Sequence, residues 1–132
     1  MKYKCLFIFV ILGSVNVYAE EDFFCFYNGK KAILLIPKNY PDISEVKYYP
    51  YLKSINLSKV IKTEYGDDGG ENPEIYYTMN EIVNKKNTGS YTFMSQGYVV
   101  YNVTYLNFRT KKQTAFLRLY DYEIKLKNIN CL

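Results

Sequence analysis

Two cysteines, Cys25 in "FFCFYNGK" and Cys131 in the closing "NINCL", stand far apart with no thiol between them. A bridge between them would oblige any fold to bring its first and last segments together, and such a bridge needs an oxidising compartment. The opening residues give a reason to expect one. The chain begins MKYKCLFIFVILGSVNVYAEED, with Lys2 and Lys4 ahead of an apolar run from Cys5 to Leu12 and small residues ending at Ala19. That is the charged start, apolar middle and small-residue cleavage site of a secretory signal peptide, with Val17 and Ala19 at the positions that fit the peptidase. The apolar run is short of the roughly 20 residues that span a bilayer. Cleavage after Ala19 removes Cys5 and leaves an even pair, for which a disulfide is the expected state. Cys25 lies too far beyond that point to be the acylated cysteine of a lipoprotein. The expected organisation is therefore a signal peptide over 1–19 and a single disulfide-stapled domain over 20–132. Closing a loop of about 100 residues removes roughly 4–5 kcal/mol of unfolded-state entropy, which is comparable with the lower range of a small domain's net stability.

Loss of Lys2 and Lys4 leaves 15 of the 17 basic residues against 13 acidic ones, a balance that argues against a nucleic-acid partner. Sixteen tyrosines and eight phenylalanines, with no tryptophan, suit pleated, half-buried sheet and also binding surfaces. The abundant Lys, Asn, Ile and Tyr fit an AT-rich bacterial coding sequence, hence a periplasmic or secreted protein.

Along the chain, Asn28-Gly29 marks a hairpin between two strands, and the apolar run Ala32 to Ile36 predicts a strand covered on both faces. Asp42, three residues before Glu45, has the spacing of a capping box opening a short helix that Pro50 would stop; a loop or edge strand reads "SEVKYYPY" nearly as well, and 42–60 stays open between helix and strand. "LSKVIKTEY" is a strand leading into the loop Gly66 to Asn72, where glycines and acids cluster. In "EIYYTMNEIV" the residues Ile75, Met79, Ile82 and Val83 fit a helical face. Tyr76-Tyr77-Thr78 prefers a strand, which is the favoured reading of 74–84, with a hairpin turn at Asn87-Thr88-Gly89. "SYTFM", "GYVVYNVTYLNF" and "TAFLRLYDYEIKL" read as further strands, the middle one central and covered on both faces. In the last, Tyr122, Ile124 and Leu126 alternate against Glu123, Lys125 and Lys127. A bulge near Asn128 would then restore the inward direction and aim Cys131 at Cys25. The fold class that follows is mainly β: a small antiparallel meander, curled or barrel-like, with one short helix and its termini joined by the disulfide.

No histidine is present, which removes Ser-His-Asp and Cys-His catalysis and histidine-bearing metal sites. Carboxylate-pair catalysis would fall to Glu64, Asp67, Asp68, Glu71 or Glu74, in or beside a loose loop poorly suited to hold geometry. The "GDDGGEN" loop lacks the ligand spacing of an EF-hand. Neither a catalytic set, a metal nor a cofactor is expected, and the remaining chemistry is surface recognition. Tyr40, Tyr48, Tyr49 and Tyr51 crowd one segment, "YPDISEVKYYPY", expected to be exposed. The two arginines, Arg109 and Arg118, stand among aromatics, a composition typical of binding hot spots.

The layout of signal, early "CFYNGK", β-meander and near-terminal cysteine resembles that of the small periplasmic inhibitors of c-type lysozyme. Their inhibitory serine-glycine-aromatic loop is echoed only by "SQGYVVY", so no residue role carries over. The ending Asn130-Cys131-Leu132 differs from the alternating apolar last strand of chaperone-assembled pilins. The expected function is a cell-envelope protein that binds a toxin or wall hydrolase, with no membrane anchor after cleavage. The alternative is a structural or adhesive component of an extracellular assembly.

Overall fold

The computed structural model describes residues 20–30, 32–67 and 70–132; the signal peptide expected over 1–19, with Cys5, lies outside them. Among the described residues every regular element is a strand: β1 (Glu21–Tyr27), β2 (Ile33–Pro37), β3 (Glu45–Tyr49), β4 (Ser54–Tyr65), β5 (Glu74–Val83), β6 (Lys86–Gln96), β7 (Val99–Asn107), β8 (Gln113–Leu119) and β9 (Ile129–Cys131). Each of β1 to β8 pairs antiparallel with its sequence neighbour, and β8 pairs back onto β1, so eight strands close into an up-and-down barrel. Closure leaves none of the eight as an open edge.

Side chains fill the interior, as expected for a barrel of this strand number. Phe26, Leu34, Ile36, Val46, Tyr91, Phe93 and Val103 are all essentially inaccessible and belong to one cluster. Burying each of the larger ones contributes roughly 2–3 kcal/mol before entropy is subtracted. The 38–44 turn closes one end of this core by inserting Tyr40 and Ile43. Tyr40 is 4% exposed; its hydroxyl shares a hydrogen bond with Ser95 (3.1 Å), and its ring lies 5.6 Å from that of Phe93.

A second cluster lies on the outer wall. Phe23, Cys25, Ile33 and Leu35, the outward residues of β1 and β2, are covered by Leu126, Ile129 and Cys131. This explains the continuous apolar run in β2: its two faces meet two different cores. β8 and β9 lie in turn along the same edge of β1, β8 opposite 25–27 and β9, parallel to it, opposite 21–23. The Cys25–Cys131 disulfide joins β1 to β9 across a Cα separation of 5.3 Å and a sequence separation of 106.

Several local expectations are corrected. No helix opens at Asp42. Its N–H donates to Asn39 O and that of Ile43 to Pro41 O in a tight turn, and β3 follows, with Val46 and Tyr48 directed to the core. A helix stopped by Pro50 would have less than two turns, too few to be stable alone, whereas a strand there links β2 to β4. The segment 74–84 is strand, as favoured, but the hairpin turns at Asn84-Lys85, both with positive φ (49° and 63°), not at Asn87-Thr88-Gly89. That pair of positive φ values matches the right-handed twist of the flanking strands. β7 is only partly covered on its outer side, with Tyr101 at 39% exposure. The last long strand stops at Leu119; the chain then turns, and Asn128 (φ 61°) reverses it through a Leu126–Ile129 bridge. Cys131 thus meets Cys25 on the outer wall and not through an inward bulge.

Candidate functional site

In β5 the alternation that sends Tyr77 and Met79 to the core continues to Glu81, which places a carboxylate at 8% exposure near one end of the barrel. Three local features of β6 and β7 build a receptacle around it. Glu81 lies opposite Gly89 and Ile82 opposite Asn87, so Thr88 is the extra residue of a β-bulge, a device that re-aims a side chain. Its Oγ1 donates to Glu81 Oε1 at 2.7 Å. Gly89 lies between Glu81 and Asn107, and a Cβ there would come within 2.7 Å of the Tyr105 ring and of Leu106 O. The missing side chain lets Tyr105 reach across β6 and donate to Oε1 at 2.8 Å. Tyr91 donates to Oε2 at 3.4 Å and shares a 2.8 Å hydrogen bond with Tyr48. The Tyr91 and Tyr105 rings lie 4.8 Å apart.

Electrostatics keep these phenols protonated. Burial, opposed by the Tyr91 hydrogen bond and assisted by the Glu81 charge, pushes Tyr48 up to about 12. Tyr91 and Tyr105 are raised further, by burial first and then by their hydroxyl partners and the Glu81 charge. They act as fixed donors and not as bases. Among the described residues Glu81 has no lysine or arginine within ion-pair distance. The carboxylate borders a pocket of about 300 Å³, lined also by Lys86, Thr88, Tyr105, Phe108 and Arg109.

The segment singled out for its tyrosines divides between interior and surface. Tyr40 and Tyr48, expected to be exposed, pack in or against the barrel core, because Tyr40 lies in the 38–44 turn that enters the core and Tyr48 on the inward parity of β3. Tyr49 and Tyr51 instead line an apolar groove of about 450 Å³ on the outer wall with Ile33, Pro50, Ile124 and Leu126. Tyr51 is 87% exposed, while the Tyr49 hydroxyl accepts the Lys127 N–H at 3.3 Å. Arg109 and Arg118 are not brought together. Arg109 sits in the turn after β7, whose backbone is held by Asn107 Oδ1, the acceptor for both Arg109 and Thr110 N–H. Arg118 is an internal tie: its guanidinium lies 4.5 Å from the Tyr120 ring centroid and 5.5 Å from that of Phe24, and donates to Leu132 O at 3.0 Å.

Of the loop acids, Glu64 is ion-paired with Lys62 and Glu74 accepts from the Tyr76 hydroxyl, while Asp68 lies outside the described residues. Glu81 was missed as a site residue, although an acid in the apolar phase of a strand is a signal the sequence offers. No protein-family model, no curated protein and no solved structure matches this chain.

Proposed function

We propose that the protein is an exported cell-envelope binding domain that neutralises or escorts another protein, as a periplasmic immunity protein or an inhibitor of a wall hydrolase does. The observation that carries this reading is the apolar groove of Ile33, Tyr49, Pro50, Tyr51, Ile124 and Leu126, set on the stapled wall. Its floor is anchored in the cluster that holds the disulfide, so the surface meets a partner with little ordering cost. Tyr51 is the kind of side chain that dominates interface energies. Exposed Lys125 and Lys127, and exposed Glu123, adjoin groove residues in the chain. The partner's contact is therefore an apolar side chain with polar, charged neighbours of both signs. The disulfide is compatible with an oxidising extracellular compartment, and the expected signal peptide supports export.

The test is capture by the tagged mature chain from the envelope fraction of its host, followed by assay of the captured protein. Recovery of a toxin or wall hydrolase that the chain inhibits, with capture and inhibition both lost in Tyr51→Ala and Lys125→Glu, is the expected result. Recovery only of the chain itself or of a ladder of envelope subunits would replace this reading with the structural role. A partner bound equally well by both variants would remove the groove from it.

A further inference from the structure

We propose that the Glu81 pocket binds a small zwitterion with the chemistry of a free amino acid, its ammonium at the Glu81 carboxylate and its carboxylate at Lys86 and Arg109. Glu81 accepts from Thr88, Tyr91 and Tyr105 hydroxyls, yet among the described residues no cationic side chain pairs with it. A buried carboxylate in that state is short of a positive charge, and an ammonium group supplies both charge and donors. An amine alone would meet Lys86 and Arg109 across the same small space, and a simple anion would meet Glu81. A molecule carrying both charges satisfies both sides. At about 300 Å³ the pocket is at the lower bound of small-molecule sites and has room for a single amino acid. Phe108 and Tyr105 furnish an aromatic wall for an apolar side chain.

The site is built from held parts. The Thr88 bulge and the gap at Gly89 aim two of the three donors. The turn that bears Arg109 is tied to β6 by the Phe108 N–H, which donates to Thr88 O at 3.1 Å. Groups fixed before binding lose less entropy when the ligand arrives. None of these residues lines the outer-wall groove, so the two sites are separable.

The experiment is amide chemical-shift mapping of residues 86–89 and 105–109 during titration with leucine and then with the other common free amino acids. Leucinamide, which keeps the ammonium but lacks the carboxylate, and N-acetylleucine, which lacks the ammonium, complete the set. Leucine or another free amino acid is expected to shift these amides saturably, with its amide and N-acetyl analogues at least about tenfold weaker. Glu81→Gln should abolish binding. The exposed pair Lys86→Gln with Arg109→Gln, which leaves the buried network intact, should weaken the amino acid to the level of its amide. Tyr51→Ala should leave the titration unchanged. The proposal is overturned if no free amino acid shifts these amides, if leucinamide binds as tightly as leucine, or if the Lys86 and Arg109 pair variant binds normally.

Discussion

The wall formed by β1 and β2 and the ribbon formed by β4 and β5 are both pairs of antiparallel strands in one sheet, yet they are stabilised in opposite ways. β1 and β2 bury both faces, one in the barrel and one under the 120–132 segment, and a covalent bond crosses the outer layer. β4 has Leu57 as its one buried residue; beyond the register shifts between Leu57 and Lys62 it continues as an exposed strand, with Ile61 at 57% and Tyr65 at 73% exposure. The outer part of β4 is held by its backbone ladder to β5; the exposed Lys62–Glu64 ion pair lies within β4 itself and contributes little. Backbone pairing alone therefore builds a strand but does not decide how much of the molecule's stability passes through it.

The comparison can be broken or sharpened by measurement. The largest effect is expected at the staple: Cys25→Ser, or reduction of the wild type, should cost about 4–5 kcal/mol in denaturant unfolding. An unchanged midpoint would mean that the outer layer holds without its bond. Phe26→Ala, in the fully buried inner face of β1, should cost about 3–4 kcal/mol. Tyr105→Phe removes one donor from Glu81 and should cost about 1.5 kcal/mol; a Tyr105→Phe protein as stable as wild type would mean the bond has no net worth. Alkali should act on the inner phenols. Tyr40 and Tyr48 are each raised from 10.0 to about 12, mainly by burial. The folded state favours their protonated form, so this stability is complete below pH 10 and is lost as pH rises through about 12. Unfolding midpoints measured across that window should fall, and a flat profile would show that these phenols ionise in place. At the ribbon, Tyr65→Ser should change stability by no more than about 0.5 kcal/mol. Amides of 61–65 should exchange by local opening while those of β1 wait for global unfolding.

How much of this was legible in the sequence follows from the reach of each signal. The hairpin about Asn28-Gly29, though with Tyr27 paired to Ile33 and not closed as a two-residue turn, the doubly covered β2 and the first-to-last bridge are all readable, since each depends on a local rule or on counting thiols. The Asp42 cap signal was overridden, because a strand at Glu45–Tyr49 completes the circle of neighbours, a requirement no local window contains. Asn87-Thr88-Gly89 has the composition of a turn yet lies inside β6. Gly89 is small because Tyr105 crosses over it to reach Glu81, and that demand comes from a strand some sixteen residues away. The four tyrosines of 40–51 could not be sorted into core and surface until the parity of β3 was known. Strand parity over 74–84 points to Glu81, but not to its donors, which come from β6 and β7.

The position of β1 also sets an order of events. Its first partner, β2, follows at once in the chain, but its other edge is completed only by β8 and β9. A polypeptide made from its N-terminus must keep that edge waiting until β8 and β9 have been delivered, and contacts of such long sequence separation form slowly. In the interval the nascent sheet is open at both sides and vulnerable to pairing with the wrong chain. Cys25 finds Cys131 only after this wait is over, so oxidation of this pair serves as a stamp of completed assembly: a truncated copy cannot acquire it, and a quality-control system that reads free thiols could tell the two apart.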